Sequence, residues 1–210
     1  MVDFDLMDMI EALSDSSCPI CHIITKEEEK SYFSLIYEQG AEVLTKMENS
    51  GGLCYYHTKG IISYVMDNPN LGGPLSLVDI EIDLSRKARD WINQYIRNGK
   101  WVKFDECPVC VISDKKYTTI MRKISLYLKE GTMDLVRFSE SVCLRHMMEI
   151  TRRIGTTASR NVLSVFLKRL ERNEMDLQSY KNSQRYDEGL KFRDKDIWVS
   201  IMYLFSGNSY

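Results

Sequence analysis

Apolar residues recur along most of this chain at steps of three and four, the spacing that places side chains on one face of an α-helix. Leu77, Ile80, Leu84, Ala88, Trp91 and Tyr95 follow it and predict a helix over about 75–97. Taken alone, Ile80-Glu81-Ile82-Asp83-Leu84 alternates like a strand, but the longer pattern around it decides for helix. Leu163, Phe166, Leu170 and Leu177 mark a second long helix over about 159–184. Val109, Ile112, Ile120, Ile124 and Leu128 mark another that should stop at Gly131, and a comparable run passes through Tyr32 and Ile36 to Gly40. Breaks fall at Asn68 to Pro74, Asn98-Gly99-Lys100 and Gly155-Thr156-Thr157. Residues 196–206, with Ile197, Trp198, Ile201, Met202 and Phe205 apolar, read as a terminal helix packed on the bundle. The run Lys26-Glu27-Glu28-Glu29-Lys30 reads as a solvated helix face. The expected fold class is all-α.

Composition narrows the class further. The chain has 210 residues, 44% hydrophobic and 28% charged, with a formal net charge of −2 and only four prolines. That is enough apolar material for a packed core and excludes collagen-like or disordered chains. No run approaches the roughly 18 apolar residues of a membrane span, so no membrane partner is expected. The start, Met1-Val2-Asp3-Phe4-Asp5-Leu6-Met7, is acidic and amphipathic, unlike a secretory signal, and points to the cytoplasm. Disulfides rarely persist there, so six cysteines call for another explanation.

Their spacing supplies one. Cys18-Pro19-Ile20-Cys21 is followed by Cys54-Tyr55-Tyr56-His57, and Cys107-Pro108-Val109-Cys110 by Cys143-Leu144-Arg145-His146. Each member of the first set lies 89 residues before its counterpart, and Lys26 with Lys115, Ser50 with Ser139 and Ile61 with Ile150 keep that register. Such self-similarity reads as an internal duplication. Each half offers three cysteines and one histidine as two chelating pairs, a usual tetrahedral zinc complement, so two Zn²⁺ per chain are expected. Pro19 and Pro108 suit the first position of a helix, with the preceding cysteine as cap and the positive helix end toward the thiolates. Loop entropy favours pairing within each half by only roughly 1 kcal/mol. The duplication favours it more, because a copy that once folded alone had to close its own site.

Other chemistries use similar cysteines. Dithiol redox enzymes carry C-P-x-C, but after a strand and without a C-x-x-H partner. Cys18 to His22 has the form of a c-type haem attachment site, yet Val111 stands where the second copy would need histidine. Iron–sulfur clusters accept three cysteines and a histidine and are the principal alternative to zinc. His22 has no counterpart and is expected to be exposed or to support the ligands rather than to be one.

The boundaries follow the halves: a first metal-binding helical repeat over 1–98, a second over 99–186 and a helical extension over 187–210. Each repeat is a helical hairpin clipped by metal and followed by a long helix. The duplicated C-P-x-C and C-x-x-H, Gly52-Leu53-Cys54 before the first C-x-x-H, and the ending Asp196-Ile197-Trp198 through Ser206-Gly207 resemble an uncharacterised family of bacterial and archaeal proteins known only as a domain of unknown function. The resemblance spans nearly the whole chain. It implies a helical metal-binding protein with the eight matched positions as ligands, and supplies no activity.

Four ligands per ion leave no open coordination position, and no Walker loop, dinucleotide fingerprint, nucleophile elbow or H-E-x-x-H occurs. A non-enzymatic interaction or scaffold module with a protein partner is therefore expected. An iron–sulfur redox or sensor protein is the alternative. Nucleic-acid binding is a third, kept open by Arg145, Arg152, Arg153, Arg160, Lys168, Arg169 and Arg172 against only Glu149, Glu171 and Glu174 over residues 145–174.

Overall fold

The computed structural model describes residues 4–14, 18–38, 41–70, 74–100 and 102–185, together with Met202 and Leu204. Among these residues every regular element is helical, and the fold is all-α. The order is α1 (Phe4–Ser14), α2 (Pro19–Phe33) running on into a π-helical turn (Ser34–Glu38), α3 (Ala41–Asn49), α4 (Tyr55–Asp67), α5 (Pro74–Asn98), α6 (Pro108–Glu130), α7 (Leu135–Ser141), α8 (Leu144–Thr151) and α9 (Thr156–Arg185). The π-helical turn brings Leu35 and Ile36, consecutive residues, both into the interior. Helix α6 stops where expected, with Gly131 at φ 69°, a left-handed conformation that a residue with Cβ adopts only at a cost. Helix α7 begins at Asp134, whose carboxylate accepts from the amides of Val136 and Arg137. Of the terminal helix expected over 196–206, only Met202 and Leu204 are described; both are helical and Leu204 is buried.

Two compact units divide the chain, one of Met1–Ile23 with Tyr117–Tyr210 and one of Ile24–Lys116. This is not the division at 98/99 and 186/187 that the sequence halves suggest. Helices α2 and α6 are the reason: each is continuous, and each has its first turns in one unit and the remainder in the other.

In the discontinuous unit, α7 and α8 pack on α9, and α1 packs on α7. Its interior is built from Met9, Ile124, Phe138, Met147, Ile150 and Phe166. Of the stripe expected on α9, Phe166 is buried, but Val162 rather than Leu163 is its inward neighbour. In the continuous unit, Tyr32, Leu35, Ile36, Met47, Ile61, Val65, Ile80 and Val109 form the core. Helix α5 lies on α3 and the π-helical turn. Only Ile80 of its expected stripe is fully buried, while Leu77, Leu84, Ala88 and Trp91 are half-buried.

Gly60 packs directly against Tyr32 in this core. A Cβ there would lie 2.2 Å from Oη of Tyr32 and 2.9 Å from its Cζ, and that ring is itself buried beside Tyr64. Alanine normally stabilises a helix interior over glycine by about 1 kcal/mol. Here the sign should invert: Gly60→Ala is expected to lower the melting temperature, and adding Tyr32→Phe, which removes the nearer atom only, to recover part of the loss. An increase in melting temperature for the single variant would refute this packing.

Candidate metal centres

Four short segments carry the eight predicted ligands, and all four are built alike. The carbonyl oxygens of Cys18, Cys54, Cys107 and Cys143 accept the first helical hydrogen bonds from the amides of His22, Thr58, Val111 and Met147, at 2.9, 2.9, 3.1 and 2.9 Å. Each of these cysteines therefore stands at the N-terminus of a helix, α2, α4, α6 or α8. Pro19 and Pro108 open α2 and α6, where the missing amide costs nothing. Cys54 and Cys143 are extended caps, with φ/ψ of −67/163° and −76/159°. The second ligand of each segment, three residues on, lies in the first turn of the same helix.

The structure brings these segments together in two groups: Cys18, Cys21, Cys143 and His146 in the discontinuous unit, and Cys54, His57, Cys107 and Cys110 in the continuous one. Within each group the four ligand atoms lie within 4.8 Å of one another, an arrangement that can hold a metal ion. No two of the six cysteines are joined as a disulfide. The expected pairing within each half is thereby corrected: each group takes its C-P-x-C from one half and its C-x-x-H from the other. Rigid length explains the exchange. Helix α6 has 23 residues and rises about 34 Å, whereas the returning α7 has seven and covers about 10 Å. The return therefore sets His146 beside Tyr117, with ring centroids 5.6 Å apart, and not back at Cys110. In the same way α3 returns His57 to Glu28 and not to Cys21.

The spacing of histidine nitrogen to the three sulfurs in each group matches the edges of a tetrahedral site. Nδ1 of His146 lies 3.4, 3.4 and 3.2 Å from Sγ of Cys18, Cys21 and Cys143. Nδ1 of His57 lies 3.2, 3.5 and 3.3 Å from Sγ of Cys54, Cys107 and Cys110, and the sulfurs of Cys54 and Cys110 are 3.8 Å apart. Metal–ligand bonds of roughly 2.3 Å to sulfur and 2.0 Å to nitrogen give tetrahedral edges of about 3.5 Å for sulfur to nitrogen and 3.8 Å for sulfur to sulfur. The donors fit one ion per group.

Crowding sets the protonation of these groups against one another. Hydrogen bonds with Cys143 and Cys18, helped by burial, push the Cys21 thiol far up, while hydrogen bonds from Cys18 and Cys21 hold Cys143 far down. Burial disfavours charge on His146, but its hydrogen bonds with Cys143 and Cys18 prevail and raise it to about 9. In the other group burial and the neighbouring sulfurs push Cys110 up to about 12. Burial also opposes the Cys54 thiolate, yet hydrogen bonds from His57 and Cys110 outweigh it and bring Cys54 to about 7. Cys21, Cys110 and His146 are thus the groups whose protons a bound cation would displace.

Glu28, which the charged run 26–30 places on a solvated face, lies beside a candidate ligand. Its carboxylate lies 3.4 Å from Nε2 of His57 and is 13% exposed, and burial raises its pKa. It thus takes the position of the carboxylate that orients a metal-bound imidazole through the distal ring nitrogen. Its neighbours Glu29 and Lys30 are exposed, as expected for that run, and Glu27 pairs with Lys30 and Lys116. The missed signal was its register: Glu28 stands four residues after Ile24 and four before Tyr32, a stripe otherwise apolar. Tyr117, 89 residues on, takes the corresponding place beside His146 and donates to Glu149.

His22 belongs to neither group; its Nε2 is buried with no hydrogen-bond partner among the described residues. Nor does the basic strip of 145–174 form one array. Arg169 donates to the carbonyls of Ser139 and Val142 at 3.2 and 2.8 Å, Arg153 pairs with Glu149 and Arg172 with Glu140. No described helix is long and apolar enough to cross a membrane.

Comparison with protein-family models, with curated proteins and with solved structures finds no match to this chain.

Glu28→Gln keeps the shape of the side chain but weakens the hold on the imidazole. Metal affinity of the group around His57 should fall by about 10- to 100-fold, with the group around His146 unchanged. Competition with a chromophoric chelator measures both; equal affinity in the variant would remove Glu28 from the site.

Proposed function

We propose that this is a zinc protein with two mononuclear Cys₃His sites whose ions are structural, serving as a non-enzymatic module for interaction or scaffolding with a protein partner. The observation that carries this reading is the tetrahedral spacing of the four donors in each group. A sulfide-bridged iron cluster distributes its ligands over several irons and spreads them beyond the edges of a single tetrahedron. Four donors on one ion leave no position for substrate or water, as in structural zinc sites.

Connectivity supports the structural role. One ion ties residues 18–21 to 143–146 and the other ties 54–57 to 107–110, so both close long loops of chain. Closing such loops restricts the unfolded chain and couples metal binding to folding. In each site two helix N-termini meet the thiolates, offsetting the formal charge of −1 that three thiolates and Zn²⁺ carry.

Elemental analysis of protein purified without air should give close to two zinc ions per chain and no acid-labile sulfide. Cys54→Ser with Cys107→Ser should leave about one ion, whereas Cys18→Ser with Cys54→Ser should lose both and abolish the cooperative melt. Iron with stoichiometric sulfide would replace the zinc reading by the redox one. A metal-free chain that still melts cooperatively near the original temperature would end the structural role.

A further inference from the structure

Helix α5 carries a second apolar stripe, on a side its own unit does not cover. Leu75, Val78, Ile82, Ile92 and Ile96 are exposed, from 42% at Ile82 to 75% at Leu75. With Ser85 and Arg89 between them they repeat at steps of three and four over the whole helix, the spacing that keeps one seam against a second helix. Beside it, Ile62 and Met66 of α4 are 50% and 70% exposed. An open groove of about 620 Å³ runs between the two helices, and its lining on α5 includes Val78, Glu81, Ile82, Arg86 and Arg89. An apolar seam of this length on one side of a charged helix is a docking surface.

Charge identifies the occupant. Asp79, Glu81 and Asp83 precede Ser85, and Arg86, Lys87, Arg89 and Asp90 follow it; Asp83 pairs with Arg86 and Lys87 with Glu48, while Glu81 and Arg89, of opposite sign, line the groove on either side of this small central residue. A second copy laid antiparallel across Ser85 sets Glu81 of each chain against Arg89 of the other, and Val78 against Ile92. A parallel copy would oppose Glu81 to Glu81 and Arg89 to Arg89. The geometry points to a homodimer in which the α5 helices of two copies pair antiparallel about Ser85 and close the groove beside α4. Like-charge contacts exclude the parallel register, and the apolar seam supplies the affinity. The pairing uses no metal ligand and stands apart from the zinc assignment.

Sedimentation equilibrium of the metal-replete 210-residue chain should give twice its 24.5 kDa mass. Glu81→Arg and Arg89→Glu, both at exposed positions, should each weaken the dimer by about tenfold or more, and the two together should restore it. Helicity and metal content, measured on the same samples, should be unchanged in all three. A monomeric parent chain overturns the pairing, as does a dimer indifferent to the single substitutions or one that the double substitution fails to restore.

Discussion

Everything else in the molecule hangs on the meeting of helix N-termini around thiolates. Two helices, α2 and α8 in one group and α4 and α6 in the other, direct their positive ends at three sulfurs and an imidazole. Without a cation these groups compete for protons, so Cys143 is held low only while Cys21 is driven high. A tetrahedral ion would remove the conflict, and the same ion would hold in place helices that are far apart in sequence. Helix geometry, thiolate chemistry and chain connectivity meet at the same atoms.

The exchange of ligand pairs between the halves follows from stiffness. A helix of 23 residues cannot be retraced by one of seven, so each C-x-x-H lands ten residues beyond the first cysteine of its own half, at Glu28 or Tyr117. There it meets the C-P-x-C of the other half. The chain leaves one unit through α2 and returns through α6, and the continuous unit is enclosed between two parts of the discontinuous one along the sequence. Residues beside the two histidines differ in chemistry. His57 has a half-buried carboxylate against its distal nitrogen, whereas His146 has the ring of Tyr117 nearby. The two centres are therefore alike in donors but distinct in surroundings.

Much of this was legible in the residues themselves. The three-four pattern and Gly131 placed α6 almost to the residue, Pro19 and Pro108 marked the starts of α2 and α6, and spacing alone picked out the eight donors that the structure gathers. The pairing was not legible from loop entropy, which hardly separates the choices, but it was implicit in the short interval that a helix stopping at Gly131 leaves before Cys143. Glu28 was hidden by its neighbours, since a charged run reads as solvated unless each position is checked against the apolar stripe. The second stripe on α5 is not needed to predict the helix, which Ile80 and its companions already explain; a face without a partner in its own unit leaves no trace in that pattern.

The central claim, that each ion is shared between the two halves, is most directly tested by replacing the metal with ¹¹³Cd and recording proton–cadmium correlations. Shared sites predict that the β-protons of Cys18, Cys21 and Cys143 and the ring of His146 couple to one cadmium, and those of Cys54, Cys107, Cys110 and His57 to the other. Coupling of Cys18 and Cys54 to the same cadmium would contradict it.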